Sequence, residues 1–190
     1  MQKDPNFCFT LVPNAINGKP ALRSRDGTGQ GLQVVLPDIF VYEGLTIIYV
    51  CANSEARTGA ETLIGVEKPV RWRFGDWGNR LATVSDESLG LGQTPELNKL
   101  SLSSFRFTRD LGWEVFFNGI DAGLTRDLAF PNSPTGVVIG SYKPNSPGEY
   151  PFGGDVCEIL IFDHPLSADE HRKACSYLSL KYALMLPLPN

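Results

Sequence analysis

The amino-acid sequence predicts an all-β fold, a sandwich or a barrel, with one helix near its carboxyl end. Short runs rich in β-branched and aromatic residues alternate with Gly, Pro, Asn and Asp turns along nearly the whole chain. Many short strands at such spacing are typical of these two architectures. The predicted strands are residues 7–12, 20–24, 32–36, 45–52, 61–66, 70–75, 80–85, 100–108, 113–118, 120–124, 135–141 and 156–162.

Two of the predicted strands carry a clear burial pattern. Residues 45–52 are apolar at almost every position, which predicts an inner strand covered on both faces. Residues 70–74 alternate between apolar and charged types, which predicts that Trp72 and Phe74 face the core. Longer loops are predicted at 53–60, 86–99 and 143–154, where turn-forming residues predominate.

A tight turn is predicted at Asn118-Gly119, directly after an apolar run. Asn-Gly favours positive φ at both central positions of a two-residue hairpin. With the preceding turn at residues 109–112, this predicts a three-stranded meander over residues 100–124.

The only convincing helix is predicted over about 167–182. Ser167 and Glu170 have the three-residue spacing of a capping box. Residues at three- and four-residue spacing form an apolar stripe that should dock on the sandwich: Ala174, Cys175, Leu178 and Tyr182. Residues 183–190 are predicted to be a short extended tail.

Length and composition limit the classes of protein. A chain of 190 residues with 42% apolar residues fits one domain spanning 1–190. The net charge of −4, without a cluster of basic residues, argues against a nucleic-acid partner. No segment has the ~20 apolar residues of a membrane helix. No secretory leader opens the chain, so we expect synthesis in a cytoplasm.

The four cysteines, Cys8, Cys51, Cys157 and Cys175, are widely and irregularly spaced. This pattern predicts buried thiols rather than a metal site or a disulfide framework. A bridge between Cys157 and Cys175 stays open, because the strand and the helix that carry them could pack together.

Several motifs together resemble one domain family. The run from Phe152 through Ser167 and Glu170 to Tyr182 resembles the closing motif of laminin-G-like, concanavalin-type jelly-roll domains, found in bacterial and phage proteins. Residues 113–119 are similar to the family's strand that ends in Asn-Gly, and residues 138–140 to its following strand.

Near the start, residues 13–22 with Asp26-Gly27 look like the family's Asn-Gly-x-Pro-Ala-Leu segment. The resemblance implies two packed antiparallel sheets and a role in binding sugars, proteins or cell surfaces. The family usually has a longer portion before this segment, which adds a strand. We therefore expect either a differently closed sheet or a strand supplied by a neighbouring chain.

Signatures of catalysis and of metal binding are not found. Glucanases of this fold carry carboxylates spaced as Glu-x-Asp-x-x-Glu on one strand, and this sequence has no such pattern. His164 and His171 lack partners at ligand spacing, which predicts surface or capping roles. Asp76, Asp86 and Asp155 are scattered and form no Asp-x-Asp-x-Asp run of the kind that holds calcium. We predict no enzyme activity, no cofactor and no metal, with bound calcium as the alternative that stays open.

Aromatic and polar residues in two turn-rich segments are the candidates for ligand binding: Trp77, Asp76, Asn79, Tyr142, Tyr150 and Phe152. An indole at 77 could stack on a sugar ring while its polar neighbours bind hydroxyl groups. The alternative is that Trp77 covers the edge of the core, and that Tyr150 and Phe152 plug one end of the sandwich.

Two functional hypotheses follow. The first is a non-catalytic virion-associated protein, a phage capsid decoration or tail adhesion protein, that acts through protein contacts as a homo-oligomer or with capsid or tail proteins. The alternative is a lectin-like module that recognises cell-surface glycans, located outside the cell or on its surface.

Overall fold

A computed structural model describes residues 8–24, 31–34, 44–54, 61–66, 72–77, 80–84, 87–90, 96–125, 137–141 and 151–186. In chain order the elements are β1 (Thr10–Ile16), β2 (Lys19–Ser24), β3 (Leu32–Val34), β4 (Gly44–Asn53), β5 (Ile64–Val66), β6 (Trp72–Trp77), β7 (Arg80–Val84), β8 (Glu87–Gly90), β9 (Ser101–Thr108), β10 (Gly112–Phe117), β11 (Ile120–Thr125), β12 (Val137–Ile139), β13 (Gly154–Phe162) and α1 (Ala168–Tyr182).

These strands form two antiparallel sheets. The seven-stranded sheet has the order β1-β2-β13-β4-β9-β10-β11, and the six-stranded sheet has the order β3-β12-β5-β6-β7-β8. The predicted fold class, a two-sheet antiparallel sandwich with one carboxyl-terminal helix, is confirmed. That the whole chain is one domain stays a prediction.

β4 lies at the centre of the seven-stranded sheet and is buried at every position. Its side chains alternate between two apolar layers, as the strand pleat requires. Ile47 and Tyr49 belong to the core between the sheets, whereas Ile48 and Val50 belong to a second core on the outer face of the sheet. The predicted inner strand covered on both faces is therefore confirmed.

Aromatic rings dominate the core between the sheets. Phe74 of the six-stranded sheet lies 4.4 Å from Phe105 and 5.3 Å from Trp113 of the seven-stranded sheet, between ring centroids. Phe107 extends this group, 5.0 Å from Trp113. The predicted inward orientation of Phe74 is confirmed, and the side chain of Trp72 lies outside the described part of the chain.

Helix α1 covers the outer face of the seven-stranded sheet. Its buried residues Cys175, Leu178 and Tyr182 pack with Ile48, Val50 and Leu102, as the predicted stripe required. The predicted tail differs from the expectation, because Leu184 and Leu186 also pack against this layer. The backbone N–H of Leu184 donates to Ser179 O at 2.9 Å, so the chain turns back after the helix.

The capping box at the start of α1 is confirmed. The hydroxyl of Ser167 accepts from the backbone N–H of Glu170, and the Glu170 carboxylate accepts from the backbone N–H of Ser167 at 2.9 Å. We expect Ser167→Ala to lower the free energy of unfolding by about 1 kcal/mol, because a helix-end N–H loses its acceptor. Urea denaturation measures this loss.

Ser167→Thr is the matched control for that prediction, since Thr keeps a hydroxyl that can accept from the Glu170 N–H and donate to the Glu170 carboxylate. It should stay close to the parent protein. Equal losses for both variants would contradict a capping role.

The meander is confirmed, and one predicted loop is wrong. Asn118 and Gly119 both have positive φ, 49° and 79°, and join β10 to β11. Residues 86–99 were expected to be a loop, but they contain β8, which pairs with β7. This segment lacks a clear apolar alternation, so its strand is decided by pairing with a neighbour.

None of the four cysteines forms a disulfide. Cys51 and Cys175 are buried, as predicted, and the open possibility of a Cys157–Cys175 bridge is not realised. Within the described residues, no helix combines the length and apolar composition needed to cross a bilayer.

Candidate functional site

The ends of strands from both sheets meet at one end of the sandwich, here called the Gly154 rim. In the seven-stranded sheet, Gly154 pairs with Ser24 on one side and Asn53 on the other. In the six-stranded sheet, Thr62 precedes β5 and forms an isolated bridge with Pro151. The rim is defined by Ser24, Asn53, Thr62, Trp77, Ser141 and Gly154.

Two backbone hydrogen bonds organise this rim, one within the six-stranded sheet and one from it to the residues that precede β13. Gly140 N donates to Leu63 O at 2.7 Å, and Phe152 N donates to Gly140 O at 3.0 Å. The segment between Ser141 and Pro151 therefore starts and ends at the Gly154 rim.

The predicted residues Asp76 and Trp77 form the last two positions of β6. Trp77 pairs with Arg80, the first residue of β7. Gly75 approaches the rim closely, since a Cβ added there would lie 2.2 Å from Glu61 O. The backbone of the β6–β7 hairpin tip thus belongs to the rim, although Asn79 and the side chains of Asp76 and Trp77 lie outside what the structure describes.

The other predicted binding residues, Tyr142, Tyr150 and Phe152, do not share one outcome. Tyr142 and Tyr150 lie outside the described residues, within the segment that the rim anchors at both ends. Phe152 is only 1% exposed and packs in the core between the sheets. The binding role expected for Phe152 is wrong, because a ring with no open face cannot stack on a ligand. It fills the end of the core, which was the alternative.

Polar side chains are buried beneath the rim. Ser24, Asn53, Thr62 and Ser141 are all buried. Among the described residues, Ser24 Oγ and Thr62 Oγ1 are buried hydroxyls with no hydrogen-bond partner in the structure. Buried hydroxyls in proteins are ordinarily satisfied, by protein groups or by water. The rim therefore holds hydrogen-bonding capacity that the described part of the fold does not use.

Sequence reasoning missed these residues for a simple reason. Ser24 and Thr62 occur at ordinary strand ends and form no motif. Only the pairing of strands distant in sequence, such as Ser24 with Gly154, brings them to the same end of the sandwich.

Three acidic side chains on strands are held in ion pairs. Asp155 accepts two hydrogen bonds from Arg23, at 2.6 and 2.7 Å, and the paired carboxylate raises the pKa of Arg23. Glu114 accepts two from Arg106, at 2.6 and 2.8 Å. Glu158 lies 2.8 Å from Lys181 Nζ of the helix. These carboxylates hold strands and helix in place.

Within the described ranges, no three His, Cys, Asp or Glu side chains are grouped so that they could hold a metal ion. Because Asp86 and other acidic residues lie outside those ranges, the absence of a metal or cofactor stays a prediction.

His171 lies in a polar cluster under the helix that sequence reasoning did not find. It is only 8% exposed, so the predicted surface role is wrong. Its Nε2 lies 2.6 Å from Ser104 Oγ of β9 and 3.6 Å from Cys175 Sγ. The Phe116 ring lies 4.7 Å away, between centroids. The apolar stripe of the helix, extended one turn toward the amino end, includes position 171. That spacing could have predicted that His171 is buried against the sheet.

The electrostatics of this cluster favour neutral groups. Burial, followed by the positive charge of Arg106, lowers the pKa of His171 to about 4, against a smaller opposite effect of Glu114. Burial raises the pKa of the Cys175 thiol to about 11. Ser104 is fully buried, so a Ser–His pair of this geometry has no route to a substrate. The cluster joins helix to sheet.

No protein-family model and no curated protein sequence matches the chain. Solved structures match over most of its length. Domain 4 of AbnA, a GH43 extracellular arabinanase from Geobacillus stearothermophilus, in complex with arabinotriose, matches with a TM-score of 0.66 and 16% identity. The match covers 85% of this chain and 78% of that one.

Two further structures show the same likeness. The Ruminococcus gnavus IT-sialidase CBM40 bound to α2,3-sialyllactose has a TM-score of 0.60 and 14% identity, over 79% of this chain and 93% of that one. Trypanosoma rangeli sialidase in complex with sialic acid has a TM-score of 0.67 and 16% identity, over 91% of this chain but 29% of that one.

At these identities the likeness establishes the fold. The protein has a concanavalin-type jelly-roll sandwich, as the sequence resemblance implied. A relation to phage members of that family stays a prediction.

Proposed function

We propose that the protein is a non-catalytic glycan-binding module. The observation that carries this proposal is the match, over most of both chains, to two domains whose structures contain oligosaccharides. Fold alone does not fix function, so the site must supply the rest of the argument. The match supports the lectin-like alternative of the sequence analysis better than the virion role that it put first.

The Gly154 rim is the proposed binding surface. Asp76 and Trp77, the last two residues of β6, lie there. Sugar sites combine an aromatic face with a few well-placed polar groups, because a pyranose ring has apolar C–H faces and hydroxyl edges. Trp and Asp are residue types of these two kinds.

The absence of catalysis is part of the proposal. Glycosidases need two carboxyl groups that face each other across the scissile bond. Asp155, Glu114 and Glu158 are each engaged by a basic side chain, which favours a structural role for them. Virion attachment, protein partners and an extracellular location remain predictions that no comparison supports.

A glycan array with the purified chain tests the proposal, with arabinotriose and α2,3-sialyllactose as the first soluble probes. We expect Trp77→Ala to weaken binding of the best glycan about tenfold or more, or about 1.4 kcal/mol. Tyr177→Ala is the matched control, because Tyr177 is an aromatic residue, 51% exposed, on the helix outside the rim.

Two results would contradict glycan binding at the rim. One is an array with no signal from the correctly folded chain. The other is equal affinity of the Trp77→Ala variant and the parent protein. Release of reducing sugar from a bound glycan would contradict the non-catalytic part.

A further inference from the structure

The two neighbours of β13 pair with it over unequal lengths. On one side β4 pairs with β13 from Gly154 to Phe162. On the other side β2 pairs with it at three positions, the last of which is Val156 with Leu22. From Glu158 to Phe162 no strand within the described residues pairs with the β2-facing edge of β13.

Local sequence explains why the β2 ladder stops. The register of β13 shifts between Val156 and Glu158, which is the signature of a bulge at Cys157. Pro20 of β2 has no N–H to donate. Both features lie just beyond the last pair, so they end the ladder from its two sides.

The β1–β2 hairpin then diverges from β13 and is held by the helix instead. Asn17 Nδ2, in the hairpin turn, donates to Tyr182 O at 2.7 Å. The Tyr182 hydroxyl donates to Cys157 O at 3.1 Å. The Tyr182 hydroxyl thus occupies the first carbonyl past the ladder, and the helix holds the hairpin turn in place.

A cavity of about 300 Å³ lies where the two strands separate. Its lining is mostly apolar and includes Leu11, Ala21, Leu22, Ile139, Val156 and Ile159. Ile139 comes from the six-stranded sheet, so the cavity reaches toward the core between the sheets. Leu11, which is 64% exposed, lies where the cavity opens to solvent.

From Ile159 to Phe162 the β13 edge is apolar on both faces, whereas Glu158 pairs with Lys181 of the helix. Ile159 and Ile161 pack toward the core between the sheets, while Leu160 and Phe162 pack toward the helix layer. Every second residue of such an edge directs its N–H and C=O away from β4. By contrast, the outer edge strand β1 contains Pro13 and is mostly exposed, which protects it from pairing.

We propose that the β13 edge from Glu158 to Phe162, with the adjoining cavity, is a strand-addition site for an extended apolar peptide segment of a protein partner. The unpaired backbone groups specify a peptide, because a lipid could fill the cavity but could not satisfy them. One aliphatic side chain of the peptide occupies the cavity.

The proposed strand-addition site corresponds to an expectation from the sequence resemblance. A neighbouring chain supplying a strand was one of the two alternatives for the sheet, and the open edge on β13 is where such a strand fits. The site is separate from the Gly154 rim and does not rest on glycan binding.

The test uses the full chain and a synthetic peptide that carries the sequence of residues 46–50, Thr-Ile-Ile-Tyr-Val, between added lysines. These residues already pair antiparallel with β13 on its other edge, so their side chains suit this strand. Amide hydrogen exchange is followed by residue. We expect saturating peptide to slow exchange about tenfold at alternate residues from 158 to 162, and to leave β9 unchanged.

A peptide with N-methyl groups on its two isoleucines is the matched control, because it keeps the apolar side chains and loses backbone donors. We expect it to give no protection. Ala21→Trp, which fills the cavity, and Leu11→Glu, which places a charge beside it, should both abolish the effect. Leu180→Lys, on the exposed helix face, should preserve it.

Three results would overturn the proposal. The first is no change in exchange at residues 158–162 with the unmodified peptide. The second is equal protection by the N-methylated peptide, which would indicate apolar binding without strand pairing. The third is exchange at these amides in the free protein as slow as in β4, which would show an edge that is already covered.

Discussion

Phe74→Ala should lower the free energy of unfolding by about 3–5 kcal/mol. Phe74 is fully buried, and its ring contacts Phe105 and Trp113 of the opposite sheet. Truncation removes the transfer free energy of the ring and leaves a cavity between the sheets, which cannot close because both are held by their own ladders. Domains of this kind are stable by only about 5–15 kcal/mol, so most of the stability would be lost.

Urea or thermal denaturation measures this effect. Phe74→Leu serves as a graded control and should cost clearly less, because most of the volume is kept. Tyr177→Ala, on the exposed helix face, should change stability by no more than about 0.5 kcal/mol. A loss below about 1 kcal/mol for Phe74→Ala would contradict a core built across the two sheets at this residue.

Acid should destabilise the protein through His171. The pKa of His171 is lowered to about 4 in the folded state, from an ordinary value of 6.5. Protonation is therefore easier in the unfolded chain, and stability falls as the pH drops below about 6.5 until the folded state also binds the proton near pH 4. The expected loss from this residue is roughly 3 kcal/mol between pH 7 and pH 4.

The measurement compares unfolding free energies across this pH range for the parent protein and His171→Gln. Gln stays neutral and can still hydrogen-bond Ser104, so its curve should be flatter by about the stated loss. His164→Gln is the matched control, because His164 is exposed and its Nδ1 pairs with Asp163. Parallel curves for the parent and His171→Gln would show that the buried imidazole does not govern acid stability.

Much of the fold could be predicted because local patterns report burial. The continuous apolar run of β4, the inward Phe74, the Asn118-Gly119 turn and the Ser167 capping box all have the predicted structure. Each is a short-range signal, read within one strand, turn or helix end. β8 was missed because nothing in its four residues favours a strand until β7 lies beside it.

The candidate site was predicted less well, because it depends on strands that are distant in sequence. The positions of Asp76 and Trp77 at a hairpin tip followed from local turn chemistry. Phe152 was expected either to bind a ligand or to plug one end of the sandwich. Its neighbour Pro151 bridges to Thr62, and the ring lies inside the core.

The chain's composition and periodicity by themselves determined an all-β sandwich with a capped terminal helix, since strand alternation and helix caps are local properties. Only the tertiary structure decided that His171 is buried against Ser104, that strand ends meet at the Gly154 rim, and that, among the described residues, β2 pairs with β13 no further than Val156. The physical reason is that burial and hydrogen-bond pairing each need two surfaces in contact. A local sequence pattern describes one of those surfaces and does not say which distant segment forms the other.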